Sequence, residues 1–180
     1  VMHPIVRLLD GKRRRFHDLL ANIWLRLTMI TCLQFPIVRG RENLPGPGSN
    51  CIFVANHASF LDIYMLSWLG RSLKYVSKAR NFQIPIVGWA MTLQKNISLP
   101  EGSRKGQVQC YRSILDTLGS GNNLVLFPEG TRSRNGRLLK FQSGAFRAAT
   151  ETGLPVVPIT ILGTYEVYPS GSFVPICSPK

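Results

Sequence analysis

Apolar and polar positions alternate in two rhythms along this chain. Residues 16–35 are dominated by large apolar side chains, among them Leu19, Leu20, Ile23, Trp24, Leu27, Ile30 and Leu33, with Arg26 in their midst and His17 and Asp18 near their start. After a turn-rich linker at 45–49 (Pro45, Gly46, Pro47, Gly48, Ser49), short apolar runs take turns with helical spacings. The runs at 51–55, 73–77, 123–127 and 156–162 have strand character. Helical spacing marks 60–69, stopped by Gly70, and 143–152, capped by Gly153. A third helix is expected at 107–118, with Val108, Tyr111, Leu115 and Leu118 on one face and Gly119 after it. Strands alternating with helices predict an α/β domain with a mainly parallel sheet flanked by helices, in which function gathers in loops beyond the carboxyl ends of the strands. No internal repeat or low-complexity tract interrupts the pattern.

The first apolar run needs separate treatment. Basic residues Arg7, Lys12, Arg13, Arg14 and Arg15 precede it. A charge in the middle of a spanning helix costs about 2.5–3.5 kcal/mol, so Arg26 argues against a span. The pattern fits a helix lying in a membrane interface, its basic cluster toward anionic head groups. An ordinary helix docked on the core fits the same periodicity. The expected division is therefore a membrane-binding helical segment at 1–40 and an α/β domain at 41–180. No uninterrupted run of apolar residues is long enough for a polytopic membrane protein.

The 180 residues fit one domain able to bury a core. With 22 Lys and Arg against 9 Asp and Glu, the formal net charge is +13. Such a field attracts phosphate groups in anionic lipid, nucleic acid or small substrates, although solubility alone is a sufficient reason for it. Aromatic residues are not interleaved with the basic clusters as a single-strand binder needs, so nucleic acid is not expected as a partner. Cys32, Cys51, Cys110 and Cys177 lie too far apart for a C-x-x-C pair and are read as reduced and structural, Cys32 and Cys51 packing as small hydrophobes. His3, His17 and His57 are scattered, so no metal site is expected.

The chain lacks G-x-S-x-G, G-x-x-x-x-G-K-[ST], G-x-G-x-x-G and H-E-x-x-H motifs. Two segments at expected strand ends hold the candidate chemistry. In N-H-A-S-F-L-D at 56–62, a loop His57 and an early-helix Asp62 can face each other. The carboxylate would then accept a hydrogen bond from one ring nitrogen and leave the other basic, which suits a general base acting on a hydroxyl. Ser59-x-x-Asp62 is equally a helix-start signature, in which Asp62 merely caps. In F-P-E-G-T-R-S-R at 127–134, Glu129, Gly130, Thr131, Arg132 and Ser133 form a turn with forked donors suited to phosphate. A solvated loop with a Glu129–Arg132 ion pair is the plain alternative.

Together, N-H-A-S-F-L-D, I-P-I-V-G-W at 84–89, F-P-E-G-T-R-S and V-V-P-I-T at 156–160 resemble the four blocks of the glycerolipid acyltransferases. More narrowly, the sequence resembles the 1-acyl-sn-glycerol-3-phosphate acyltransferases, particularly the plastid type of plants and algae; H-P-I-V-R near the start and E-N-L-P at 42–45 extend the resemblance over nearly the whole chain. The resemblance implies transfer of an acyl group from acyl-CoA or acyl carrier protein to the sn-2 hydroxyl of lysophosphatidic acid, without metal or bound cofactor. His57 would be the base and Asp62 its support. Gly130, Thr131 and Arg132 would hold the acceptor phosphate, with Ser133 and Lys78 as further substrate contacts, and Glu129 would shape the loop. A membrane surface and a plastid location are implied with it. Two departures are visible: Arg80 occupies a position where relatives commonly carry glutamate, and Pro100 and Glu101 fall where they carry a basic residue. These motivate an acceptor other than lysophosphatidic acid, such as glycerol 3-phosphate or a lysophospholipid. The chain starts at Val1 and ends at Lys180, and further chain is expected at both ends.

Overall fold

A computed structural model of the chain describes residue 11 and residues 13–172. His3, Arg7, Lys12 and Cys177 lie outside the described residues. Five parallel strands form one sheet: β1 (Ile52–Ala55), β2 (Leu73–Lys78), β3 (Ile97–Leu99), β4 (Asn123–Leu126) and β5 (Val156–Ile159), in the spatial order β3-β2-β4-β1-β5. The expected mainly parallel α/β architecture is what forms.

The central strands show why. In β1, Ile52 and Val54 join the apolar cluster on one face while Phe53 and Ala55 join the cluster on the other. β4 does the same with Leu124 and Leu126 against Val125. A strand buried on both sides reads as an unbroken apolar run. The first cluster is closed by α4 (Arg104–Gly119) and α5 (Gly144–Thr152). The second is closed by α2 (Asp62–Leu66) and the 3-10 turn Ser67–Leu69 that continues it to Gly70. On α4 the buried side chains are Cys110, Ile114 and Leu118. The expected face is thus displaced by one position: Val108 is exposed and Tyr111 and Leu115 sit at the flank. Ser103 caps this helix by accepting the Gly106 amide at 3.2 Å, and Gly106 lies so close to Pro100 that a Cβ would come within 2.7 Å of the proline ring.

Three elements escaped the sequence pattern: α3 (Val87–Leu93), the three-residue β3 and the four-residue helix α6 (Thr164–Val167). Gly88 explains part of the I-P-I-V-G-W block, because a Cβ there would lie 2.0 Å from the Phe82 carbonyl oxygen.

Helix α1 (Arg15–Thr31) meets the domain with its polar side. Asp18, Asn22 and Arg26 recur every four residues and face inward. Asp18 pairs with Lys74 of β2 at 2.7 Å, both buried, and also receives the Ser72 hydroxyl. Asn22 donates to the Arg71 carbonyl at 3.0 Å and the Arg26 guanidinium to the Ser67 carbonyl at 2.7 and 3.1 Å. Leu19, Leu20, Ile23, Trp24, Leu27 and Ile30 are left exposed. The helix is docked on the domain, and its apolar stripe is turned outward. No helix among the described residues is long and apolar enough to cross a membrane. Cys32 corrects an expectation, being exposed just past the helix end, whereas Cys51 and Cys110 are buried free thiols.

Candidate active site

The strand order puts β1 and β4 side by side, yet the chain leaves β1 toward β2 and leaves β4 toward β5. The two connections run in opposite directions, so the loops that follow β1 and β4 lie side by side at the carboxyl ends of the strands, the place where sites gather in α/β sheets. The loop after β1 carries His57 and the turn after β4 carries residues 127–133.

Asp62 is completely buried and acts in both of the ways its spacing allowed. Its Oδ2 accepts the Ala58 and Ser59 amides at 2.8 and 2.9 Å, as a capping residue does, and lies 2.8 Å from His57 Nδ1. Its Oδ1 accepts the Thr164 hydroxyl at 2.6 Å. With two amides and a hydroxyl donating to it, the group is a carboxylate, so the His57 Nδ1 proton points at it and the neutral ring keeps Nε2 as its lone-pair nitrogen. Nε2 has no partner among the described residues, and the imidazole is 17% exposed. One ring face stacks on Phe127, with centroids 4.0 Å apart and planes at 19°. The ring is thus held on its edge and its face, with its basic nitrogen free.

The second segment is stitched to the first through the main chain. Glu129, buried, accepts the His57 amide at Oε1 (2.6 Å) and the Leu139 amide at Oε2 (2.8 Å). The His57 carbonyl accepts the Ser133 amide at 2.8 Å. Glu129 is therefore committed to two amides, and the alternative Glu129–Arg132 ion pair does not form. Gly130 takes a left-handed φ of +70°, its amide closing the turn onto the Phe127 carbonyl at 3.0 Å. A Cβ there would lie 2.5 Å from Gln142 Nε2. Thr131 and Arg132 are exposed beside this turn, and Arg132 has no hydrogen bond or ion pair among the described residues. Ser133 is buried, and its hydroxyl donates to Asn135 Oδ1 at 3.1 Å.

Lys78, at the end of β2, pairs with Glu101 at 2.8 Å, and Arg80 approaches the same carboxylate at 3.8 Å. The two departures from the family pattern thus meet each other. The Lys78 hydrogen bond, followed by the Lys78 and Arg80 charges, holds the Glu101 carboxyl below its usual range. The structure brings His57, Asp62, Glu129, Gly130 and Ser133 into one hydrogen-bonded assembly with Thr131 and Arg132 on its rim; Lys78 belongs to a separate ion-paired cluster. No group of three or more metal-ligating side chains occurs among the described residues.

Sequence reasoning missed two contributors. Asn56 clamps β1 to the end of β5, donating to the Ile161 carbonyl at 2.9 Å and accepting its amide at 2.7 Å. Thr164 is separated from Asp62 by 102 positions and has no local signature.

Comparison with known proteins gives this geometry its context. A family model described as Acyltransferase matches residues 36–162. A chloroplastic 1-acyl-sn-glycerol-3-phosphate acyltransferase of Brassica napus is 44% identical over 94% of the chain and 49% of its own length. One from Chlamydomonas reinhardtii is 42% identical over 95% of the chain and 51% of its own length. The crystal structure of the 1-acyl-sn-glycerophosphate (LPA) acyltransferase PlsC from Thermotoga maritima superposes with a TM-score of 0.69 at 31% identity, covering 89% of this chain and 61% of that one. The chain spans about half the length of the curated relatives it matches. It belongs to the acyltransferase family.

Proposed function

We propose that the protein transfers an acyl group from a thioester to the sn-2 hydroxyl of 1-acyl-sn-glycerol 3-phosphate, forming phosphatidic acid. The hydroxyl oxygen attacks the thioester carbonyl while His57 Nε2 removes its proton. The tetrahedral adduct collapses, the carbon–sulfur bond breaks, and the departing thiolate recovers the proton from His57. The alcohol is itself the nucleophile, so no acyl-enzyme is required, and the step balances without a metal or resident cofactor. Arg132, with Thr131 and the Gly130 turn, receives the acceptor phosphate. Lys78 enters only by exchanging Glu101 for a substrate anion. Acyl-CoA and acyl carrier protein both satisfy the donor role.

The observation that carries this reading is the pair of main-chain bonds from Glu129 and Ser133 to His57, which tie the base to the turn bearing the free Arg132. The outward apolar stripe of α1 supports a membrane-surface location with anionic lipid, where the acceptor resides. The chloroplastic relatives support a plastid membrane. The test is formation of labelled phosphatidic acid from labelled acyl thioester and lysophosphatidic acid in lipid vesicles, with His57→Ala as comparison. Loss of the base lowers turnover by roughly 10²- to 10⁴-fold. Equal turnover by both proteins overturns the assignment of the base. A preference for glycerol 3-phosphate or a lysophospholipid in the same assay overturns the acceptor, a result the Lys78–Glu101–Arg80 cluster would then explain.

A further inference from the structure

We propose that Thr164 is a positioning residue of the base, its hydroxyl setting the torsion of the Asp62 carboxylate that holds the His57 ring. The proposal rests on the reading of His57 as the base of the acyl transfer. Thr164 opens the short helix α6 (Thr164–Val167), which lies beyond the residues that the family model matches.

The argument starts from how Asp62 is loaded. Three donors, His57 Nδ1 and the Ala58 and Ser59 amides, converge on Oδ2. Oδ1 has one, the Thr164 hydroxyl at 2.6 Å. The carboxylate torsion of aspartate is broad and roughly two-fold, so bonds to a single oxygen leave the plane free to rock. A donor on the other oxygen removes that freedom. Both side chains are buried, Asp62 at 0% and Thr164 at 1% exposure, so water does not substitute for the hydroxyl and Thr164 does not touch substrate.

The segment around Thr164 is itself tied down to both loops. Ile161 is gripped by Asn56 through both amide atoms, and the Ser59 hydroxyl donates to the Tyr168 carbonyl at 2.6 Å next to an antiparallel bridge between Ser59 and Pro169. The Tyr165 hydroxyl donates to the Arg134 carbonyl at 3.0 Å. Residues 161–169 thus form a strap from the loop carrying the base to the turn carrying the arginines, with Thr164 at the point where it touches the dyad. The charged groups hydrogen-bonded to His57 are Asp62 at the start of α2 and Glu129 from the facing turn; from the strap, Thr164 brings a hydroxyl to Asp62, and Glu166 is exposed.

The test compares Thr164→Val, which keeps shape and loses the hydroxyl, with Thr164→Ser, which keeps the hydroxyl. We expect Thr164→Val to lose roughly ten- to a hundredfold in kcat, the size of one hydrogen bond to a charged group, with KM for both substrates unchanged. Thr164→Ser recovers wild-type kcat. Nitrogen-15 spectra of His57 show the neutral ring with its proton on Nδ1 in the wild type and a mixture of the Nδ1–H and Nε2–H tautomers in Thr164→Val. Wild-type kcat and an unchanged ring spectrum in Thr164→Val overturn the proposal, as does equal damage in Thr164→Ser. Should Thr164→Val not fold, Thr164→Ala carries the same comparison. If the wild type transfers no acyl group, the acyl-transfer reading falls, and the ring spectra alone still decide whether Thr164 orients the dyad.

Discussion

Replacing Glu129 by Gln separates two roles that an acidic residue in an active-site turn can have. Both Glu129 oxygens accept main-chain amides, from His57 at 2.6 Å and Leu139 at 2.8 Å, in a buried setting. A glutamine can satisfy one of them with its carbonyl but must aim its NH2 at the other, donor against donor. One charge-assisted bond worth about 1.5–3 kcal/mol is lost, and the other falls to the neutral value near 1 kcal/mol. The lower cost of burying an amide offsets part of this, leaving a destabilisation of about 2 kcal/mol. For a domain of this size that is a fall of roughly 4–8 °C in Tm. Urea denaturation should show a lower midpoint at unchanged slope, since no extra surface is exposed in either state. Activity should drop while the pH–rate profile keeps both its limbs, because a clamp carries no proton in the reaction. Wild-type stability in Glu129→Gln, or disappearance of one limb from its pH profile, would refute the assignment of Glu129 as a main-chain clamp.

Arg132→Ala should raise KM for a phosphate-bearing acceptor by roughly ten- to a hundredfold and leave a phosphate-free lysolipid unaffected; equal effects on both acceptors in steady-state assays would remove Arg132 from the phosphate site. Asp18→Asn removes the charge that pairs with the buried Lys74 ammonium and should cost about 3–5 kcal/mol by urea denaturation, whereas Asp18→Leu combined with Lys74→Met recovers most of that loss. Additive damage in the double variant contradicts the pairing. Burial raises the thiol pKa of Cys110, and that of Cys51 against a smaller opposing pull from Arg71, so iodoacetamide followed by peptide mass spectrometry should modify exposed Cys32 far faster than either. Comparable rates in the folded protein would contradict the buried environments.

Burial explains the clearest part of the pattern, although β5 was legible with no buried residue. β1 and β4 were readable because each packs both faces, so hydrophobicity alone marks them. β3 has three residues and α3 seven, too short for a period to emerge. The displaced face of α4 shows a different limit. Tyr111 and Leu115 contact the core from the side, so counting apolar residues could not choose between their stripe and that of Cys110, Ile114 and Leu118. In α1, apolar content was evident but its direction was not. Asp18, Asn22 and Arg26 face inward because the sheet base offers Lys74, the Arg71 carbonyl and the Ser67 carbonyl, partners 41 to 56 positions away. The His57–Asp62 pairing was visible in local spacing. Thr164 was not, since a lone hydroxyl acquires its role only from what the fold sets against it.

The same contrast explains why the two segments act as one site. Side-chain chemistry made each of them conspicuous, but main-chain bonds join them: the His57 amide to Glu129 and its carbonyl to the Ser133 amide. A base fixed through its backbone moves with the turn that fixes it. In the proposed reaction the phosphate grip and the proton acceptor are therefore parts of one rigid body, and the distance between them is set by strand pairing between β1 and β4. An acceptor bound by its phosphate has its hydroxyl delivered to a fixed point, which converts binding into the orientation that lowers the barrier. Loosening the turn should accordingly impair catalysis more than binding, even where every charged side chain is intact.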